Sequence, residues 1–70
     1  MNDYELVIDP QTSIKTLIKL SKYKNWYIRL RVANNPNTPL EVLIELCKDE
    51  NESVKDCAKL FRINRMGLLK

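Results

Sequence analysis

The chain contains no histidine, so the commonest general base and the commonest metal ligand are both missing. His-based catalytic triads and zinc sites of the Cys/His type are excluded with it. The only glycine, Gly67, stands near the C-terminus, which leaves no Gly-rich loop to cradle a phosphate. Two cysteines allow at most one disulfide, and both Cys47 and Cys57 fall at apolar positions of helical patterns, which points to buried free thiols in a reduced compartment. No apolar run approaches the roughly 20 residues a membrane helix needs. Residues 1–5 are acidic where a signal peptide is basic, so neither leader nor membrane anchor is expected, and the expected location is the cytoplasm.

What is present is 70 residues, 44% hydrophobic and 30% charged, with three prolines: the composition of a folded domain. A domain this small buries only about 60% of the surface its unfolded chain exposes, so its core is thin and a deep catalytic pocket is not expected. Together with the missing residue types, this argues against an enzyme and against any cofactor or metal.

The sequence repeats itself. Asp9-Pro10-Gln11-Thr12-Ser13-Ile14 and the residues that follow, to Lys22, align without a gap under Asn35-Pro36-Asn37-Thr38-Pro39-Leu40 and on to Lys48, at an offset of 26. The same offset carries Asn25 onto Asn51, Ile28 onto Val54, Arg29 onto Lys55 and Val32 onto Ala58. Each half-unit reads as a helix. Thr12 and Thr38 are N-cap types, Pro39 suits a first turn, and Thr38-x-x-Glu41 has the form of a capping box, so helices are expected to begin near residues 13 and 39. Ile14, Leu17 and Ile18 follow i, i+3, i+4 spacing; Leu40, Leu43, Ile44 and Cys47 extend the same stripe, and Leu20 and Leu46 widen both. Asn25 and Asn51 are N-cap types for the next pair, with Ile28 and Val32 inward in one helix and Val54, Cys57, Ala58 and Phe61 in the other. Pro36 biases Asn35 away from helix, which makes residues 34–37 a turn. Residues 4–8 read either as an extended lead-in or as a single helical turn.

Four main helices in two units at a fixed offset describe an all-α chain, a short α-solenoid with unit one at about 9–34, unit two at about 35–60 and a C-terminal extension to about 66. A compact four-helix bundle is the alternative. Asn35-Pro36-Asn37-Thr38-Pro39, followed by Leu43, Leu46-Cys47, Asp49 and Val54-Lys55, resembles the leucine-rich variant repeat, which is HEAT-like and armadillo-like in style. Ile28-Arg29-Leu30-Arg31-Val32-Ala33 matches the preceding part of that unit, and Leu6 to Thr12 reads as a weaker copy, so the resemblance spans about residues 6–58. It implies a right-handed superhelix in which the segment from Trp26 to Asn34 is either α or 3₁₀. One member type of the family holds an iron–sulfur cluster on cysteines of an N-terminal extension; this sequence has no such cysteines, so no cluster is expected. After Ala58 the Asn-Pro turn does not recur, and residues 59–66 continue helical to a stop at Gly67.

Charge is uneven along a chain of net +3. Residues 1–9 carry −3, residues 10–31 carry +6, residues 41–56 carry −4 and residues 57–70 carry +4. The repeat sets Lys15 beside Glu41 and Lys19 beside Glu45, an arrangement suited to surface pairs that fix register. A sharper reading gathers Arg29, Arg31 and Lys55 with Trp26 and Tyr27 into a basic, aromatic surface for a phosphate or an acidic partner. The expected function is a non-enzymatic scaffold for a protein partner, with nucleic-acid binding through the basic helix face as the alternative. A homodimer is also expected. A two-unit array leaves open ends, its basic and acidic halves are complementary, and Leu30, Val42, Leu60, Ile63 and Met66, outside the main stripes, either form the buried centre of that interface or complete the monomer core.

Overall fold

Two turns with the same chemistry, at residues 9–12 and 35–38, organise the chain. The structure is a computed structural model that describes residues 2–65 and 67. It contains α1 (Asp3–Ile8), α2 (Ile14–Leu20), α3 (Trp26–Asn34), α4 (Leu40–Leu46) and α5 (Glu52–Arg65), with no strand among the described residues. The four expected helices are α2 to α5, and α1 adds a fifth. It forms because Asn2 and Glu5 make a true capping box, each side chain accepting from the other's backbone amide at 2.9 and 3.2 Å. The segment from Trp26 to Asn34 is an α-helix of nine residues.

Thr12 and Thr38 do not cap the helices that follow them. The Thr38 hydroxyl donates to the Val32 carbonyl at 2.6 Å, and the Thr12 hydroxyl donates to the Leu6 carbonyl, the equivalent atom one repeat earlier. Both threonines are buried, and each ties the helix just completed to its turn. With the hydroxyls turned backwards, the N-cap passes to Ser13, which accepts from the Thr16 amide, and to Pro39, which offers no side-chain cap. The Thr38–Glu41 box is therefore not formed.

Burial follows the repeat. Val7 and Ala33, Leu17 and Leu43, Leu20 and Leu46, Ile28 and Val54, and Val32 and Ala58 are register partners, and every one of them is buried. Central to the packing is α3, which contacts both α1 and α5, while α5 also packs along α4. The expected inward stripe is narrower than its spacing suggests, because Ile14 and Ile18 are 48% and 40% exposed whereas their counterparts Leu40 and Ile44 are half-buried. The physical reason is length: α5 runs five residues past the register end of α3 and lies against α4, and α2 has no such cover. Cys57, Phe61, Cys47 and Leu30 are partly buried against the core, Val42 is buried, and Leu60 and Ile63 are exposed. Both cysteines are free thiols, half-buried rather than fully enclosed. Met66 lies outside the described residues. Gly67 takes φ +72°, in the left-handed region that lets glycine end a helix, and its amide donates to the Asn64 carbonyl.

Candidate aromatic interaction site

The start of α3 assembles a cluster of exposed rings. Asn25 caps the helix by accepting from the Tyr27 amide at 2.9 Å, and its amide nitrogen donates to the Tyr4 hydroxyl at 2.9 Å, so one side chain both begins α3 and holds a ring of α1 beside it. The Tyr4 and Tyr27 rings lie 6.2 Å apart at a tilt of 40°, and Trp26 meets Tyr27 edge-on at 6.0 Å. One helical turn on, the Arg31 guanidinium sits 5.1 Å from the centre of the Tyr27 ring. Its Nε and Nη2 also donate to the Tyr27 hydroxyl at 3.0 and 2.8 Å. Trp26 is 45% exposed and Tyr4 51%, so a large apolar area faces solvent in a fixed arrangement. A shallow cleft of about 100 Å³ adjoins Arg31, with exposed Ile8 and Pro36 in its lining.

Three of the five residues singled out in the sequence, Trp26, Tyr27 and Arg31, come together here. Arg29 does not join them. All three of its guanidinium nitrogens are engaged, with Nε and Nη2 donating to the Asp49 carboxylate at 2.7 and 3.0 Å and Nη1 donating to the carbonyls of Tyr23 and Lys24 at 2.7 and 2.8 Å. That hydrogen bonding holds the Asp49 carboxyl below its ordinary range, although partial burial opposes the shift. Lys55 is bonded to Glu52 one turn back at 2.9 Å, so the basic ladder expected from Arg29, Arg31 and Lys55 is divided among separate partners. Among the described residues the register pairs Lys15–Glu41 and Lys19–Glu45 are not bridged; the ion pairs formed are Arg29–Asp49 and Lys55–Glu52.

Sequence reading passed over Tyr4. The signal was available: Asn2-x-x-Glu5 is a capping box, and the 26-residue offset, read back from α3, sets Tyr4 level with Leu30. Among the described residues no group of three His, Cys, Asp or Glu side chains is placed to hold a metal ion. The chain matches no protein-family model, no curated protein and no solved structure.

Proposed function

We propose that the chain is a small non-enzymatic scaffold that binds another protein through Tyr4, Trp26, Tyr27 and Arg31. In this reading its repeats form a short right-handed HEAT-like α-solenoid of the leucine-rich variant kind. The observation that carries the proposal is the cluster itself. Trp, Tyr and Arg are the residue types that dominate binding hot spots, the two aromatics because they offer large contact area for few rotatable bonds and Arg because its planar guanidinium both stacks and donates several hydrogen bonds. Here the tilted and edge-on ring contacts, the Asn25 bond to the Tyr4 hydroxyl and the Arg31 bonds to the Tyr27 hydroxyl already hold them, so less side-chain entropy is left to lose on binding. A nucleic-acid partner calls for a continuous basic track, and the engagement of Arg29 by Asp49 and of Lys55 by Glu52 interrupts one.

Trp26 is the only tryptophan, so its fluorescence reports on the site directly. An affinity capture with the parent chain, repeated with Trp26→Ala and with the exposed control Leu60→Ala, tests the reading. A protein retained by the parent and the control but lost with Trp26→Ala, and shifting Trp26 emission to the blue when purified and added back, is the expected result. Capture indifferent to Trp26→Ala, or binding of single-stranded nucleic acid with a steep salt dependence, overturns it.

A further inference from the structure

On the side of the molecule that carries α2 and α4, the charges of these two helices enter no ion pair among the described residues. Lys15 and Lys19 on α2, with Lys22 just past its end, form an exposed basic ridge at i, i+4 and i+7. Glu41 and Glu45 form an exposed acidic ridge on α4. The repeat register sets these ridges opposite one another, yet among the described residues no ion pair crosses between them. A groove of about 580 Å³ lies between α2 and α4, lined by the apolar Ile18, Val42 and Leu46; of the lysines Lys22 lines it, facing Glu41, Glu45 and the Arg29-bound Asp49.

The pattern of charge selects the occupant. A basic helix laid over this face meets the lysine ridge, and an acidic helix meets the glutamate ridge. A fitting surface carries both signs in reversed order with apolar side chains between them. The same face, turned over by a two-fold axis along the groove, is such a surface. We propose that two copies of the chain pair through this face, α2 of each lying on α4 of the other, with the lysine ridge against the glutamate ridge and the Ile18 side chains meeting over the grooves. The contact is small, because each helix has only seven residues, so the dimer belongs to the weak, micromolar class and depends on salt. None of Tyr4, Trp26, Tyr27 and Arg31 lines the groove, so pairing leaves the aromatic cluster open and presents it twice.

Sedimentation of the parent chain at about 100 µM, in low and in high salt, with the two charge reversals Glu41→Lys/Glu45→Lys and Lys15→Glu/Lys19→Glu, tests this. The parent is expected to dimerise at low salt and to weaken about tenfold or more at high salt. Each reversal alone is expected to be monomeric, since like charges then face each other, while a one-to-one mixture of the two regains the dimer because opposite signs are restored across the contact. All four substituted positions are exposed, and circular dichroism confirms that each variant is folded. A parent monomeric in low salt, a dimer indifferent to both reversals, or a mixture that stays monomeric overturns the proposal. Should either variant fail to fold, the salt response of the parent decides alone: a dimer unaffected by salt overturns it, and a salt-sensitive one sustains it.

Discussion

The side-chain amide of Asn35 donates to the main-chain carbonyl of Asp9, 3.0 Å away and one repeat length of 26 residues upstream. The same nitrogen donates to the Val7 carbonyl at 2.9 Å, and the side-chain oxygen accepts from the Asn37 amide at 2.9 Å. The Val7 carbonyl, in the last turn of α1, and the Asp9 carbonyl just past it, which also accepts from the Thr12 amide, are thus tied to the Asn35 turn. At the other end of the chain Phe61 and Ile63 occupy the positions equivalent to Asn35 and Asn37, and neither can donate. Arg65, carried one turn further by the α5 extension, takes over: its guanidinium donates to the carbonyls of Thr38, Asn35 and Pro36. An arginine on a lengthened helix does there what an asparagine turn does between units.

Asn35 is 3% exposed, so removing its amide takes the side-chain donor from the Val7 carbonyl in a buried setting, while the Asp9 carbonyl keeps the Thr12 amide. Asn35→Ala is expected to destabilise the fold by about 2 kcal/mol, and Asn35→Asp by at least as much, because a carboxylate would face the carbonyls that the amide now serves. A thermal melt of either variant coincident with the parent would show that this bond does not hold the units together.

The Arg29–Asp49 pair sets an acid limit. Its side chains are only 13% and 9% exposed, and the folded state holds the Asp49 carboxyl below its unfolded value of about 3.9. A lowered folded pKa means stability that is complete above the unfolded value and is lost as pH falls through the folded one. The parent is therefore expected to lose stability progressively below about pH 4, and Asp49→Asn to lack that part of the response. At neutral pH Asp49→Asn is expected to cost about 3 kcal/mol, since it leaves the Arg29 charge without its partner. Denaturant titrations of both chains from neutral pH to about pH 3 check this; parallel curves would remove the pair from the acid response.

Much of this architecture is legible in the sequence because the repeat counts twice. Leu17 and Leu43, or Val32 and Ala58, support one another as core positions in a way that a single helix pattern does not. The failures have one physical cause, which is that a side chain's partner lies outside the local window. Thr12 and Thr38 carry the local signature of an N-cap, yet their hydroxyls are taken by the preceding helix. Lys15 and Glu41 share a register, yet among the described residues no ion pair joins them. Arg29 reads as surface charge until Asp49, 20 residues away, arrives beside it. The aromatic site was half visible, since Trp26 and Tyr27 adjoin in sequence, whereas Tyr4 reaches them only through α1 and the bond from Asn25.

Cys57 offers a chemical probe of the α3–α5 contact. Its thiol faces the Asn34 side-chain oxygen at 3.4 Å, and partial burial raises its pKa above the ordinary thiol value, with the nearby Arg31 charge working weakly the other way. Labelling of Cys57 by a thiol reagent is expected to be slow at neutral pH, to rise with pH later than for a free thiol, and to become fast in denaturant. Arg31→Ala is expected to slow native labelling further by removing a charge that favours the thiolate. Labelling at the rate of an unfolded peptide at neutral pH would contradict the contact.

Leu43 and Ile14 occupy equally good positions in the apolar stripes of their helices, and the structure separates them. Leu43 is fully buried, whereas Ile14 is 48% exposed because no helix extension lies over α2. Leu43→Ala should leave a cavity where α4 meets the core and cost about 3 kcal/mol, a large share of the roughly 4–10 kcal/mol available to a domain of this length. Ile14→Ala should change the stability of the monomer by no more than about 0.5 kcal/mol. Dilute-solution melts of the two variants, below the concentration at which copies pair, measure the contrast without interference from association. Equal losses would mean that α2 is covered within the monomer, and the groove beside it would then be too closed to receive a second chain.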